Sequence, residues 1–168
     1  MPSSKAIKLD LNRGYDLVRR KPAKANDEKL DHLLQWILLN YRNIRAPPEI
    51  KRWLQPHFVC FRGLLTRLWC TPYEKQEGWI ICARKWRGTI YLCAFDSEEK
   101  KRHNANVPEK QLRFMSWGFK FEQYLLSESP GKSADTTQAV DEAEEFCCLF
   151  KSRLGDNRLL YGAEMDGV

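Results

Sequence analysis

The chain has 168 residues, of which 43% are hydrophobic and 30% charged, and its formal net charge is +6. This composition is typical of a folded globular domain and excludes an intrinsically disordered chain. No apolar run is long enough to span a membrane, and the first 16 residues contain no apolar signal region. We therefore expect neither a membrane partner nor secretion.

Basic residues are concentrated at the start of the chain. The first 24 residues carry seven Lys or Arg and two Asp, and we expect residues 1–25 to form an irregular basic arm. Such a positive segment is compatible with binding to nucleic acid or to an anionic surface, and equally with simple solvation. The segment RRKPAK at 19–24 has the composition of a nuclear localisation signal, although short basic runs of this kind are common.

Six cysteines occur, at positions 60, 70, 82, 93, 147 and 148. None forms a Cys-x-x-Cys motif, and no His follows at zinc-finger spacing. Most lie in apolar, strand-like runs, which favours reduced core cysteines over disulfides or a zinc site. The expected location is therefore the nucleus, the cytoplasm or both.

The first predicted element is a helix over residues 28–42, capped by Asn26 or Asp27. Its apolar residues recur at helical spacing and make one stripe: Leu30, Leu33, Leu34, Ile37, Leu38 and Tyr41. The helix is expected to end before Pro47, which disfavours helical backbone at the preceding residue.

A strand-rich stretch follows. Strands are predicted at HFVCF, LLTRLWC, GWIICAR and GTIYLCAF, which are rich in β-branched and aromatic residues. The last two form a predicted hairpin that turns over residues 85–88. The charged segment DSEEKKRHNAN is expected to be a linker, and a second helix is expected over residues 108–126.

The final third begins with SESPGKSADTTQAVDEAEE, a polar segment that predicts an exposed loop. The segments EEFCCLFKSRLG and NRLLYGAEMDG follow. They are compatible with two strands, or with a short helix and one strand. The predicted class is α/β with a sheet core.

Glu164 and Asp166 end the apolar run LLYGAEM. Two carboxylates two residues apart on a strand lie on the same face. Such a pair suits an oxygen-ligated cation such as Mg²⁺ or Mn²⁺, but it is equally an ordinary feature of a solvated strand end. The apolar context favours the metal, because buried carboxylates need a partner.

Two further side chains are candidates for the same chemistry. Glu122 lies on the otherwise apolar face of the second helix, where it could bind a metal, reach an Arg or extend to solvent. Gly118 in that helix indicates close packing of another backbone or a ligand, because Gly is costly in a helix. Arg62, in a strand-like run, could bind phosphate or pair with a carboxylate at the core edge.

Several motifs together closely resemble the DXO family of decapping exoribonucleases. The resemblance runs from about residue 7 to the end of the chain. The stretches that carry it, in the family's order, are FVCFRGLLTRLWCTPYEKQEGW, GTIYL, MSWGFKFEQYL, FCCLFKSRLG and LLYGAEMDG.

The resemblance assigns roles to individual residues. Arg62, between Phe61 and Gly63, matches an Arg that contacts RNA, and Cys147 matches a Cys near the substrate. Glu122, four residues after Gly118, matches a metal ligand. Glu164 and Asp166 match further acidic groups, so that Glu122, Glu164 and Asp166 are the implied catalytic metal ligands. Glu164 is also an implied substrate contact.

The family implies a fold of twisted mixed β-sheets flanked by helices, with a PD-(D/E)XK-like nuclease core. It implies hydrolysis of phosphodiester and pyrophosphate bonds at RNA 5′ ends with two divalent cations, Mg²⁺ or Mn²⁺, and no organic cofactor. Incomplete caps, 5′ triphosphates and nucleotide-cofactor caps are the implied substrates, followed by 5′-to-3′ degradation. A larger exonuclease is a possible partner.

One departure from the family pattern is clear. A later Glu-x-Lys motif and a substrate-contacting Gln have no match in this sequence. We therefore expect residues 1–168 to be a single partial domain, incomplete at its C-terminus. A non-catalytic RNA-binding or partner-binding relative is the alternative function. We also expect the isolated chain to be inactive and poorly folded, because the strand that ends near Asp166 would form an exposed sheet edge.

Overall fold

A computed structural model describes residues 9–21, 29–75, 78–127, 129, 131–144 and 146–166. Contacts divide the chain into two compact units. The sheet unit comprises Lys24–Ala105 and Phe146–Met165, and the helical unit comprises Met1–Ala23, Asn106–Glu145 and Asp166–Val168.

The sheet unit is built on one mixed sheet. Its strands are β1 (Phe58–Phe61), β2 (Ile80–Trp86), β3 (Thr89–Phe95), β4 (Cys147–Leu154) and β5 (Asn157–Glu164). Their order across the sheet is β2-β3-β1-β5-β4. Strand β1 is parallel to β3 and β5, whereas β2 and β4 are antiparallel to their neighbours. The predicted α/β class is confirmed.

Five α-helices accompany these strands in the described part of the chain. They are α1 (Asp31–Leu39), α2 (Tyr41–Ile44), α3 (Arg62–Cys70), α4 (Glu98–Ala105) and α5 (Glu109–Leu125). Short 3₁₀ turns cover Tyr15–Leu17 and Thr71–Tyr73. Among the described residues, no helix combines the length and the apolar character that crossing a bilayer requires.

Alternation along β1 and β5 divides the core between the two faces of the sheet. Val59 and Leu160 belong to one buried cluster, together with Leu33 and Ile37 of α1. The adjacent residues Cys60 and Leu159 belong to a second cluster, which includes Leu64 and Leu65 of α3. Because successive strand side chains point to opposite faces, α1 and α3 cover opposite sides of the sheet.

The predicted first helix is present, but Asn40 interrupts it between α1 and α2. Its predicted start at residue 28 and both candidate caps lie outside the described residues. The buried stripe is also narrower than expected. Leu33 and Ile37 are buried, whereas Leu34 and Leu38 are 37% and 65% exposed.

The segment LLTRLWC is helical, so its prediction as a strand is wrong. It lies within α3, which begins directly after β1. Leu64 and Leu65 are buried and Leu68 packs against them. This i, i+1, i+4 spacing lies on one side of a helix, which explains why a leucine-rich run adopts helix here.

The segment DSEEKKRHNAN contains helix α4 and is therefore not only a linker. No residue of α4 is buried. The Ser97 hydroxyl accepts the Lys100 N–H at 3.2 Å, and the Lys101 ammonium lies 2.7 Å from Glu98. Capping and an i, i+3 ion pair stabilise a polar helix of this kind, and an apolar stripe is absent.

The predicted hairpin is present, and the last two segments form a second one. Strands β2 and β3 are joined by a turn at Arg87 and Gly88, and β4 and β5 by a turn at Gly155 and Asp156. Of the two alternatives for the end of the chain, the structure therefore has two strands. The prediction that the last strand forms a sheet edge is wrong. Strand β5 pairs with β4 along one edge and with β1 along the other, so it lies inside the sheet.

In the helical unit, the predicted second helix is confirmed as α5. Its most buried side is not the predicted apolar stripe: Ser116 and Lys120 are each 2% exposed, whereas Met115 is 56% exposed. The Lys120 ammonium donates to the Thr136 carbonyl at 3.1 Å and to Gln123 at 2.7 Å. Burial lowers the pKa of Lys120.

The described part of the basic arm, residues 9–21, is bonded within the helical unit. The Arg20 guanidinium donates to the Ser116 hydroxyl at 2.8 Å and to the Tyr15 hydroxyl at 2.6 Å, and it pairs with Glu142. The rest of the arm lies outside the described residues, as do positions 22–24 of the RRKPAK segment.

The polar loop that follows α5 contains no helix or strand within its described residues 127, 129 and 131–144.

The cysteines differ from the prediction that they are buried in the core. All six are free, but Cys60 alone is fully buried, whereas Cys70, Cys82 and Cys147 are exposed.

Candidate functional site

The carboxyl ends of the three parallel strands β3, β1 and β5 lie at the same edge of the sheet. Strand β1 is central, and the chain reaches β3 on one side of it and β5 on the other. Open α/β sheets bind ligands at such a switch in strand order. Phe61, Arg62 and Gly63 occupy this end of β1, and Glu164 is the last residue of β5.

Arg62 links the ends of β1 and β5. Phe61 is still extended, with φ −97° and ψ 152°, and Arg62 is the first residue of α3. The prediction that Arg62 lies in a strand is therefore wrong by one residue, because β1 ends at Phe61. The Nη2 atom of Arg62 donates to the backbone carbonyl of Glu164 at 3.2 Å. Arg62 is exposed, so its other N–H groups can meet a phosphate.

Gly162 allows the side chains around this link to approach each other. It is paired with Phe61 across β1 and β5. A Cβ atom at position 162 would lie 2.7 Å from Cε1 of Phe61 and 3.2 Å from Sγ of Cys147. Sequence reasoning did not select Gly162, although a Gly inside a strand is a known signal of close approach.

Cys147 and Glu164 are neighbours across β4 and β5, where they form the last pair of the ladder. Both side chains are exposed. The structure therefore brings together Phe61, Arg62, Cys147 and Glu164 in the sheet unit. The exposed Arg62 guanidinium can orient a phosphate, and the exposed Glu164 carboxylate can offer an oxygen ligand at the same edge of the sheet.

Asp166 lies outside the strand that was predicted to carry it. Strand β5 ends at Glu164, and Asp166 is exposed in a bend. By its contacts Asp166 belongs to the helical unit. The alternation argument, which placed both carboxylates on one strand face, is therefore wrong for Asp166, because the backbone leaves the strand before it.

Glu122 and Gly118 lie on α5, in the helical unit. Glu122 is half-buried, and its backbone carbonyl accepts the Leu126 N–H at 2.8 Å. A Cβ atom at position 118 would meet no neighbouring heavy atom within 4 Å. Close packing of another backbone at Gly118 is therefore wrong for this structure, whereas a ligand beside it remains a prediction.

The three carboxylates chosen as metal ligands supply oxygen atoms, which suit Mg²⁺ and Mn²⁺. Among the described residues, no group of three or more His, Cys, Asp and Glu side chains is arranged to hold a metal ion. The metal-binding roles of Glu122, Glu164 and Asp166 stay predictions.

A cavity of about 280 Å³ adjoins the ends of β1 and β3. Phe61, Gly63 and Leu64 line one part of it, and Lys29, Arg67 and Asp96 supply its charges. Asp96 is 3.9 Å from the ammonium of Lys100. The two cations of the lining outnumber the single carboxylate. The charge of this lining suits an anion better than a cation, and sequence reasoning missed all three charged residues.

The cysteine thiols near this end are poor nucleophiles where they are buried. Desolvation raises the pKa of Cys60 to about 11, and it also raises the pKa of Cys93. The thiolate is the reactive form of cysteine. Neither Cys60 nor Cys93 is therefore suited to act as a nucleophile.

Comparisons with known proteins identify the family to which the chain is similar. The family model described as RAI1 like PD-(D/E)XK nuclease matches residues 1–168. The decapping and exoribonuclease protein of Bos taurus is 37% identical over 158 residues, which cover 94% of this chain and 39% of that protein.

Two solved structures share the fold. Candida albicans Rai1 in complex with pU5-Mn2+ has a TM-score of 0.78 at 19% identity, over 95% of this chain and 44% of the other. Scheffersomyces stipitis Rai1 in complex with (3'-NADP)+ and calcium ion has a TM-score of 0.77 at 19% identity, over 100% and 45%. The chain thus spans less than half the length of these relatives.

Proposed function

Because the chain belongs to the RAI1-like PD-(D/E)XK nuclease family, we propose that it acts in metal-dependent hydrolysis at the 5′ ends of RNA. Membership confirms the resemblance found in the motifs. The proposed substrates are incomplete caps, 5′ triphosphates and nucleotide-cofactor caps, and removal of the end group is followed by 5′-to-3′ degradation. The proposed role is RNA quality control.

The observation that carries this proposal is the Arg62–Glu164 link at the carboxyl ends of β1 and β5. Arg62 is held by the Glu164 carbonyl at 3.2 Å, which fixes one side of its guanidinium. Its exposed N–H groups can then orient a phosphate of the RNA end. Phe61 and Cys147, which lie against Gly162, are proposed to line the site of that phosphate.

We propose Glu122, Glu164 and Asp166 as ligands of the divalent cations, Mg²⁺ or Mn²⁺, two in number by analogy with the family. The fit rests on oxygen donor chemistry and on the exposed position of Glu164 at the strand end. Bound divalent cations supply an activated water and stabilise the leaving oxygen. The contribution of this chain is to bind the phosphate through Arg62 and to present the Glu164 carboxylate beside it.

The proposed location is the nucleus, the cytoplasm or both. Support comes from the free cysteines, three of which are exposed, since exposed thiols persist in reducing compartments. A larger exonuclease remains a proposed partner.

A non-catalytic RNA-binding relative is the second candidate. It is favoured by one observation, the lack of a three-ligand metal cluster among the described residues. In this case Arg62 would still bind phosphate, because phosphate contacts need no metal.

Incubation of the chain with 5′-triphosphorylated RNA and Mn²⁺ tests the proposal. The sheet edge from which an inactive chain was expected is absent, because β5 lies between β1 and β4. The proposal therefore predicts release of pyrophosphate or nucleotides that is lost on chelation and in Glu164→Gln. RNA binding without any release would establish the non-catalytic alternative. Titration calorimetry adds an independent readout, in which Glu164→Gln is expected to weaken Mn²⁺ binding by about tenfold or more, as changes at metal sites commonly do.

A further inference from the structure

The opposite end of the sheet carries a group of cations that the proposed hydrolysis does not use. At this end β1, β3 and β5 begin, and β2 and β4 finish. We call these residues the amino-end cluster: Arg52, Arg87, Lys151, Arg153 and Arg158. Within the described residues, none of them forms an ion pair with a carboxylate.

Two members of the amino-end cluster repel each other across the ladder. Arg153 of β4 is directly opposite Arg158 of β5. Like charges at opposed positions of an antiparallel pair destabilise the sheet. Among the described residues, Asp156 in the turn between β4 and β5 forms no ion pair with either guanidinium. An added anion would relieve this repulsion.

Arg158 has a second cationic neighbour in Arg52. Burial, and next the charge of Arg158, lower the pKa of Arg52. The Nε atoms of both residues are buried and have no hydrogen-bond partner. Because an unsatisfied buried donor is costly, the two guanidinium groups are held here at a cost that their mutual repulsion increases.

A small cavity lies beside these side chains. Its volume is about 160 Å³, and Lys151, Ser152, Arg153 and Arg158 line it together with Gln55. Pro56 and Leu159 complete the lining. Because side chains alternate along a strand, Lys151 and Arg153 share one face of the sheet with Arg158, which is directly opposite Arg153. This donor set matches the oxygens of a phosphate group.

Aromatic rings extend the amino-end cluster towards the β2–β3 turn. Trp86 is 42% exposed, and the guanidinium of Arg87 lies 4.7 Å from its ring centre. Trp53 packs edge-on against Trp86 at 4.8 Å. Cations that alternate with an exposed aromatic ring are the platform on which single-stranded nucleic acids bind, since bases stack and phosphates pair.

We propose that the amino-end cluster and Trp86 form a second binding surface for single-stranded RNA, separate from the Arg62–Glu164 link. Phosphates pair with Lys151, Arg153 and Arg158, and a base stacks on Trp86. The proposal rests on the proposed function only in taking RNA as the ligand, and it involves no hydrolysis.

Fluorescence anisotropy with a single-stranded RNA that carries a 5′ hydroxyl tests this surface. In Lys151→Gln/Arg153→Gln we expect severalfold weaker binding. We also expect the slope of log binding constant against log salt concentration to become shallower by about 1.4, because each lost phosphate contact accounts for about 0.7. Trp86→Ala is expected to weaken binding about fivefold or more through lost stacking. The matched control Lys110→Gln/Arg113→Gln removes the same charge from exposed positions on α5.

Folding is monitored by thermal melting. Arg153→Gln is expected to keep or raise the melting temperature while it weakens RNA binding, because it removes the repulsion with Arg158. An unchanged salt slope in the cluster variant, or an equal loss in the control, would overturn the proposal. Binding of polyglutamate as tightly as RNA, with no effect of Trp86→Ala, would overturn it in favour of an acidic protein partner.

The two proposals can fail separately. The cluster variant is expected to keep any preference for a 5′-phosphorylated RNA over the 5′-hydroxyl RNA, because that preference is assigned to Arg62. Loss of this preference in the cluster variant, with Arg62 intact, would contradict the separation of the two surfaces.

Discussion

At the scale of single residues, four side chains define the carboxyl ends of β1 and β5. Phe61, Arg62, Cys147 and Glu164 do meet at one edge of the sheet. Gly162 was missed because its role is to leave space, and a missing side chain carries no chemistry that a motif search can weigh. Lys29, Arg67 and Asp96 were missed because only the fold brings them to one cavity.

Gly162→Ala tests the close approach of Phe61 and Cys147 to Gly162 at the carboxyl ends of β1 and β5. The new methyl group would meet the Phe61 ring at 2.7 Å, so we expect a loss of about 1–3 kcal/mol in the free energy of unfolding, as for other overpacked cores. Gly118→Ala is the matched control. Nothing lies within 4 Å of its added Cβ, and helix propensity predicts a gain of up to about 1 kcal/mol. Urea denaturation of both variants measures the difference, and equal effects would contradict the packing described for Gly162.

His57 predicts a pH dependence of stability. Its Nδ1 atom accepts the Arg158 N–H at 3.2 Å. Burial, and next the charges of Arg52 and Arg158, lower the pKa of His57 below 6.5. The unfolded chain therefore binds more protons than the folded chain at acidic pH. The stabilisation of the folded state that comes from this difference in pKa is fully present above about pH 6.5. It is lost as the pH falls towards the pKa of His57 in the folded chain.

His57→Asn keeps an acceptor for the Arg158 N–H but removes the titrating ring. We expect a flatter stability profile than that of the unmodified chain on the acidic side of about pH 6.5. Urea unfolding midpoints across that range measure it. A profile as steep as the original would show that another group is responsible.

At the scale of elements, apolar periodicity predicted the strands and the two long helices, and it failed where the pattern was ambiguous or absent. LLTRLWC is leucine-rich enough for either a strand or a helix, and packing of Leu64 and Leu65 under the sheet decides for α3. Helix α4 buries nothing, so its stabilising features, the Ser97 cap and the Glu98–Lys101 pair, lie outside a search for apolar stripes. Strand order was beyond the sequence, because the pairing of β1 with β5 joins residues about a hundred positions apart.

The interior position of β5 gives a direct test of the strand order. Leu160, on β5, is 1% exposed, whereas Leu154, on the outer strand β4, is 52% exposed. Leu160→Ala is expected to cost about 2–5 kcal/mol in the free energy of unfolding, and Leu154→Ala about 0.5 kcal/mol or less. Chemical denaturation provides both values. Similar small losses in the two variants would mean that β5 lies at an edge after all.

At the scale of the whole molecule, the two ends of one sheet are assigned two kinds of contact with RNA. The carboxyl end of β1 and β5 presents Arg62 and Glu164, which are proposed to act on the RNA end. The amino end presents Lys151, Arg153 and Arg158, which are proposed to hold the strand. Their separation follows from the parallel arrangement of β1, β3 and β5, since the residues at opposite ends of parallel strands face different regions of space.

The preference for a 5′ phosphate tests the central claim, that Arg62 beside Glu164 binds the RNA 5′ end. Affinities for the same single-stranded RNA with a 5′ phosphate and with a 5′ hydroxyl are compared by anisotropy in the presence of Mn²⁺. The comparison is made for the unmodified chain, for Arg62→Ala and for Arg84→Ala, an exposed control on β2. We predict a preference for the phosphorylated RNA that disappears in Arg62→Ala and persists in Arg84→Ala. Equal affinities in the unmodified chain, or a preference that survives Arg62→Ala, would contradict the assignment.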